Sequence, residues 1–275
     1  MGGIYALVSM GLSMQYGVAK ILNVSHGEFI MYGGFISWTL VSLVGIHPVI
    51  AIFLCCPIVL GVGYVLHRTL YERLKRISGA AEVFESNAML LAFGTMFILQ
   101  NVATRIWGPN PLNYQFMATP LQLGPTAFPA NRVFVLCFAI VIAIGFYLFL
   151  LKTRLGKTIR ATSQDPVAAR LMGVKIKTIM AICFGIGAML AGIAGSLLSI
   201  IQPVRTVMGM EYTLIAIIVV VLGGLGSIPG SFLGGFILGI VGTIVQRYEA
   251  SLTTVVFYAI IMVLLLVRPK GLLGR

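Results

Sequence analysis

Apolar residues fill nine long stretches of the sequence, and short polar segments separate them. The stretches cover residues 1–19, 28–46, 48–66, 87–106, 132–151, 179–201, 212–225, 230–246 and 252–267. Most are close to the ~20 residues that a helix needs to cross the hydrocarbon core of a bilayer. A helix satisfies all its backbone hydrogen bonds within one segment, as lipid requires. The pattern predicts an all-α integral membrane protein. We expect a polytopic bundle of about eight or nine transmembrane helices, with residues 1–275 forming a single transmembrane domain.

The composition excludes a large soluble domain. Of the 275 residues, 59% are hydrophobic and 9% are charged, and the mean hydropathy is +1.03. A soluble domain is usually about a quarter charged, because charged side chains make its surface compatible with water. Membrane lipid must therefore cover much of this chain.

The basic residues indicate an orientation in the membrane. The net charge of +12 collects in segments 67–76, 152–177 and 268–275, whereas segment 107–131 has no charge and several prolines. Cytoplasmic loops of membrane proteins carry an excess of Lys and Arg. We expect the three basic segments in the cytoplasm and 107–131 outside. Basic residues between apolar runs do not form a nucleic-acid-binding face, so no nucleic-acid partner is expected.

The sequence offers little catalytic chemistry. Its four cysteines lie within apolar runs without metal-binding or redox spacing. Asp165 is the only aspartate, which excludes an aspartyl dyad, and no complete HExxH or GxSxG motif occurs. Gly-Lys-Thr at 156–158 lacks the first glycine of a phosphate-binding loop. We predict no metal, no cofactor, no ATP binding and no enzymatic activity.

The hexapeptide Asn-Val-Ser-His-Gly-Glu, residues 23–28, lies between the first two apolar stretches. It fits a buried functional site, a break between two helices, or a loop at the membrane surface. We expect a helix break near the cytoplasmic side, where Asn23 and Ser25 bond freed backbone groups. His26 and Glu28 are candidates for edging a polar pathway. A carboxylate in interfacial water is the plainer interpretation of Glu28.

Segment 152–178 contains a short helix with its own start and stop signals. Asp165 is a good N-cap residue, and Pro166 suits the first helical position. Residues 167–172 supply about two turns, and Gly173 is placed for a C-terminal stop. Such a helix either docks into a groove on another protein or lies on the membrane surface.

Small residues recur every four positions near the C-terminus. Gly226, Gly230 and Gly234 have this spacing. Small residues one helical turn apart let helix backbones approach closely in lipid. We therefore predict helix packing for these three glycines.

Three long segments resemble one transporter family. They are GGIYALVSMGLSMQYGVAKILNVSHGEFIMYGGF, TRLGKTIRATSQDPVAARLMGV and VVVLGGLGSIPGSFLGGFILGIV. Together they are similar to the LivH-type permease of bacterial branched-chain amino acid ABC importers, in the expected order along nearly the whole chain. The resemblance implies a multi-pass protein of the bacterial plasma (inner) membrane that imports Leu, Ile and Val. It also implies three kinds of protein partner: a LivM-type second permease, two cytoplasmic ATPases and an extracytoplasmic binding protein. Membrane lipid is the further partner that the composition predicts.

As polar residues at the expected helix break, Asn23, Ser25, His26 and Glu28 are candidates for the translocation path. The resemblance implies that 165–173 is the helix that couples to the ATPases. Ala168, Ala169 and Gly173 match the general ABC permease pattern. On that helix, Val167 and Leu171 share a face and are the expected inserted pair, with Arg170 at the rim.

Two departures from the family leave questions open. Val167 replaces the acidic residue of the coupling pattern, and the family usually has some ten further residues before the equivalent of Gly2. A permease for urea or short amides is the closest alternative function, followed by a channel and then by an intramembrane enzyme.

Overall fold

The computed structural model describes residues 1–79, 81–117, 119–123, 126–268 and 271–273. Its helices, in chain order, are α1 (Gly2–Ala19), α2 (His26–Ser42), α3 (Pro48–Leu66), α4 (Glu72–Ile77), α5 (Ala81–Trp107), α6 (Ala130–Lys152), α7 (Arg154–Gln164), α8 (Pro166–Leu171), α9 (Ile176–Leu198), α10 (Met208–Gly223), α11 (Ile228–Tyr248) and α12 (Leu252–Val267). A π-helical turn, His67–Tyr71, joins α3 to α4.

The prediction of a polytopic helical membrane protein is confirmed. Five helical segments of the described chain are long and apolar enough to cross a membrane: Pro48–Ile77, Glu82–Trp107, Ala130–Lys152, Ile176–Leu198 and Ile228–Tyr248. Two shorter apolar helices, α10 and α12, accompany them. Each of the nine apolar stretches corresponds to one helix, although α5, α9 and α10 begin several residues before the apolar stretch does.

The uncharged segment 107–131 contains a small β-hairpin in addition to loop. Strand β1 (Pro120–Leu123) pairs antiparallel with β2 (Thr126–Pro129), and Pro120 is opposite Pro129. Leu112 in the same segment pairs with Val204, in the loop after α9. The segment therefore covers the end of the bundle where α9 finishes.

Helix α9 forms the centre of the bundle. Most of its residues are buried, and it packs mainly against α3, α2 and α1. Helix α1 is also enclosed along most of its length. Helices α3, α5 and α6 expose many large apolar side chains instead, which suits contact with lipid or with another membrane subunit.

The basic segments collect at one end of the bundle. Ala19, at the end of α1, lines a cavity together with Lys75 and Lys177, which come from the first two basic segments. At the same end of α1, Gly17 approaches Gly226. The chain after α12 returns to this region, where the Leu272 amide donates to Leu222 O at 2.9 Å. This clustering agrees with one cytoplasmic face, although Lys270 and Arg275 of the third segment lie outside the described residues.

The prediction that three spaced glycines share one helix face is wrong for Gly226. That residue precedes α11 and has a φ of +82°, a loop conformation in which a side chain is strained. Gly230 and Gly234 do lie in α11 and pack against α10, where a Cβ on Gly234 would meet Val219 O at 3.1 Å. A second glycine face, formed by Gly235 and Gly239, packs against the start of α1.

Candidate functional site

The helix break at the hexapeptide lies inside the bundle. Helix α1 ends at Ala19, Lys20 takes the left-handed conformation with a φ of 56°, and α2 begins at His26. Asn23, Ser25, His26 and Glu28 are each at most 1% exposed. The helix-break interpretation is therefore confirmed, and the surface-loop and interfacial-carboxylate interpretations are wrong.

The hexapeptide also lies deeper than the sequence predicted. His26 contacts the middle of α1: its Nε2 is 3.0 Å from Val8 O, and a Cβ on Gly11 would be 3.3 Å from its ring. The sequence analysis predicts a break near the cytoplasmic side, at the end of α1. Instead residues 20–25 turn back along α1, so α2 starts beside the midpoint of that helix.

The Asn23 side chain organises the break. Its Oδ1 accepts from the Ser25 amide at 3.1 Å, from the Ser25 hydroxyl at 2.7 Å and from the Tyr71 hydroxyl at 3.3 Å. Its Nδ2 donates to Gln15 Oε1 at 3.4 Å, and Gln15 donates to Phe184 O at 2.9 Å. Asn23 thus bonds a freed backbone group as expected. Ser25 does not, because its hydroxyl is used by the Asn23 side chain.

Gly27 holds the N-terminus of α2 against α10 by a hydrogen bond and by close backbone contact. The Gly27 amide donates to Thr213 Oγ1 at 2.8 Å, and this hydroxyl lies 3.1 Å from both Val24 O and Gly209 O. A Cβ on Gly27 would collide with Gly209 O and the Thr213 hydroxyl. The hexapeptide therefore requires glycine at this position for backbone approach.

Glu28 connects α2 to α5. Its Oε1 accepts from Gln100 Nε2 at 3.0 Å, while the carboxyl group packs against Gly209, where a side chain would occupy the same space. The carboxyl also lies in the first turn of α2, where the helix dipole favours negative charge.

Two buried polar atoms of this site have no hydrogen-bond partner within the part of the chain that the structure describes. They are Glu28 Oε2 and His26 Nδ1. Buried polar atoms in folded proteins almost always have a partner, which is often water. These two atoms are therefore available to a water molecule or to a polar solute. Among the described residues, no group of three His, Cys, Asp or Glu side chains is placed to hold a metal.

Sequence reasoning missed four members of this cluster: Gln15, Tyr71, Gln100 and Thr213. Gln15, Gln100 and Thr213 lie within apolar stretches, whereas Tyr71 lies in the basic segment 67–76. Polar side chains in a membrane-spanning segment usually face the interior of the bundle, and this signal was available for the two glutamines.

The short helix of segment 152–178 forms as predicted. Helix α8 spans Pro166–Leu171, and Asp165 Oδ1 accepts from the amides of Val167 at 2.8 Å and Ala168 at 3.0 Å. Gly173 ends the helix with a φ of +83°. Its amide donates to Arg170 O at 3.0 Å, and the next amide donates to Ala169 O at 3.1 Å, which is a Schellman C-cap.

The apolar side chains of α8 are open to solvent. Val167 is 68% exposed and Leu171 is 84% exposed, while Ala169 is buried against the protein. Met172, at the end of the helix, is 85% exposed and extends this surface. Arg170 is exposed as well. Exposed apolar residues on a rigid, capped helix are suited to contact another protein.

Comparison with known proteins assigns the family. A family model described as "branched-chain amino acid transport system / permease component" matches residues 1–266. The chain belongs to this permease family. The family's permeases are non-catalytic membrane components of ABC transporters, which confirms the predicted resemblance and the absence of enzymatic activity. The family member described here is a multi-pass protein of the inner membrane.

Several relatives are similar to this permease over its full length. The high-affinity branched-chain amino acid transport system permease protein BraD of Pseudomonas aeruginosa is 29% identical over 100% of this chain and 92% of its own. LivH of Escherichia coli strain K12 is 28% identical with the same coverage. LivM of that strain is 24% identical over 98% of this chain and 68% of its own. No solved structure matches the chain.

Proposed function

We propose that this permease imports branched-chain amino acids, Leu, Ile and Val, as one subunit of an ATP-driven transporter. It forms the translocation path with a LivM-type second permease. Two cytoplasmic ATPases drive the cycle, and an extracytoplasmic binding protein delivers the substrate. The names of the relatives support this substrate class, since BraD and LivH are high-affinity branched-chain amino acid permeases.

The exposed apolar surface of α8 carries the proposal that this chain couples to an ATPase. Burying a leucine side chain contributes about 1.5–3 kcal/mol, and Leu171 is exposed in the isolated chain. Val167 lies one turn before it on the same face. The caps at Asp165 and Gly173 hold the helix in shape before a partner binds.

The packing supports a route from α8 to the buried cluster. Helix α8 contacts the start of α9, and α9 packs along α1, α2 and α3. A shift of α8 that moves α9 therefore also moves α2 relative to α5, at the place where Asn23, Ser25, His26 and Glu28 lie. We place these four residues at the edge of the translocation path, where the unpartnered atoms of His26 and Glu28 contact polar groups of the solute or its water.

The test is Leu171→Asp. The substitution places a charge where an apolar groove is expected, at a cost of several kcal/mol if the charge stays unpaired. Co-purification of the ATPases should fall sharply, and labelled leucine uptake should fall with it, at an equal membrane level of permease. Ile77→Asp is the matched control, because Ile77 is 83% exposed at the end of α4, just after the basic segment 67–76.

If the Leu171→Asp permease retains the ATPases, α8 is not the coupling helix. If only the Ile77→Asp permease loses them, the coupling helix lies in 67–86 instead. Uptake of urea without uptake of leucine would contradict the substrate class while leaving the coupling surface untouched.

A further inference from the structure

A cavity of about 220 Å³ opens at the basic end of the bundle, between α4 and the start of α9. Helix α1 ends beside it, and α5 and α8 close two of its sides. Residues that line it include Ile21, Tyr71, Phe84, Ile176 and Met180. These side chains form an apolar wall, which His67 interrupts. The cavity lies at the end of the membrane-spanning helices where the chain becomes strongly basic.

The basic side chains at the rim of this cavity outnumber the acidic side chains that could neutralise them. Lys75, Arg76, Arg170 and Lys177 all line it, and Glu72 is its single acidic residue. Glu72 is already bonded to Arg76 and to Lys177, each at 3.3 Å. The adjoining surface groove adds Arg68 and Lys175 and no further acid.

The Lys75 ammonium lacks an anion in the described part of the chain. Its Nζ lies 3.9 Å from Met180 Sδ and 5.7 Å from the centre of the Phe84 ring. Within the described residues it forms no ion pair, although two neighbouring basic side chains share Glu72. A single anionic group at the rim would reach Lys75 and reduce its repulsion with Arg170.

We propose that this cavity binds an anionic phospholipid. The phosphate lies at the rim beside Lys75 and Arg170, and the upper part of an acyl chain follows the apolar wall formed by Phe84, Ile176 and Met180. Basic pockets between transmembrane helices on the cytoplasmic side are suited to such headgroups. A free phosphate fits the rim but leaves the apolar wall in water, so the amphipathic lining favours a lipid.

The location connects the lipid to the moving parts. Arg170 belongs to α8, and Tyr71 donates to Asn23 at the helix break. The bound phosphate therefore contacts the coupling helix on one side, while the cavity wall reaches the buried polar cluster on the other. The headgroup holds α4, α8 and α9 together at the point where four basic side chains would otherwise repel one another.

Native mass spectrometry of the purified complete transporter tests the proposal. Wild-type protein titrated with phosphatidylglycerol should retain one lipid more tightly than it retains phosphatidylcholine. The variant Lys75→Gln/Arg170→Gln should weaken this binding roughly 25-fold, about fivefold for each basic side chain near the headgroup. Lys152→Gln/Lys157→Gln is the control, because it removes the same charge from exposed positions of α6 and α7.

Three results would overturn the proposal. Equal losses in both double variants would show attraction by net charge alone. Displacement of the lipid by millimolar glycerol phosphate would show a site for soluble phosphate. Binding by the permease alone but not by the complete transporter would show that an ATPase surface occupies the cavity. The measurement needs no transported solute, so its failure is distinct from failure of the proposed amino acid import.

Discussion

Gly33 provides a direct test of how closely α2 and α9 must approach. A Cβ on Gly33 would lie 2.6 Å from Gly192 Cα and still nearer to the Gly192 carbonyl oxygen. Separations below 3.0 Å essentially never occur for a real Cβ. Both obstructing atoms are backbone atoms in the middle of a buried helix, so no side-chain rotation relieves the contact. Gly33→Ala must therefore push the two helices apart.

The expected cost follows from two opposing effects. Alanine is favoured over glycine in a helix by about 1 kcal/mol. Overpacking a closely packed core costs about 1–3 kcal/mol and occasionally more. The upper part of that range applies, because the collision is with backbone and because α9 also contacts α1 and α3. We expect a net destabilisation of about 2 kcal/mol, which is a fall in Tm of about 5 °C for a chain of this size.

Thermal stability of the purified permease in detergent measures this cost, and Gly94→Ala is the matched control. Gly94 also lies in a long apolar helix, α5, but no atom lies within 4 Å of its would-be Cβ. That substitution should leave the Tm unchanged or raise it slightly, because the only expected effect is the higher helix propensity of alanine. A Gly33→Ala permease as stable as the Gly94→Ala control would refute the close approach of α2 and α9.

Two further predictions concern the buried carboxyl and the orientation. Glu28→Gln should preserve thermal stability, because the oxygen of the new glutamine still accepts a hydrogen bond from Gln100. Glu28→Ala leaves the Gln100 side-chain amide unpaired and should lower the free energy of unfolding by about 1–3 kcal/mol. Equal losses in the two variants would show that this hydrogen bond does not contribute to stability. In intact cells, a cysteine-free permease with Asn113→Cys should react with an impermeant thiol reagent and one with Gln164→Cys should not, since both positions are exposed but lie at opposite ends of the bundle. The reverse labelling pattern would invert the topology.

The sequence predicted those parts of the fold that depend on local chemistry. Apolar runs gave the helices, because lipid-facing segments must be apolar along their whole length. Helix α8 was predicted with both ends, because Asp165 and Gly173 act on amides and carbonyls within a few residues of themselves. Neither feature depends on where the remaining chain packs.

The depth of the hexapeptide within the bundle depends on tertiary structure and could not be predicted from local sequence. Residues 20–25 turn back along α1, and their own composition does not indicate that the chain reverses its direction there. The charge of Lys20 favours a position for this part of the chain near the lipid headgroups. Its side chain is indeed exposed, while Asn23, three residues later, is completely buried. A reversal of the chain reconciles the two environments.

The sequence contains a signal that excludes Gly226 from α11, although the four-residue spacing does not show it. Ser227 caps α11 by accepting from the Gly230 amide at 3.2 Å, and Pro229 follows at a position that suits the first turn. A helix that starts after Ser227 cannot include Gly226 on its face. A four-residue spacing predicts a packing surface only where the cap signals allow one continuous helix.

The glycines of α2 and the polar side chains near its start have different structural roles. Gly27 and Gly33 bring its backbone against α10 and α9, which fixes where the helix lies. Asn23, just before α2, accepts one hydrogen bond from the π-helical turn that precedes α4, and Glu28, in the first turn of α2, accepts one from α5. A helix held by close backbone contact moves only with its neighbours, whereas single side-chain bonds break at a cost of about 0.5–1.5 kcal/mol. Helices α2, α9 and α10 should therefore move as one body in a transport cycle, and α5 is the element free to separate from it.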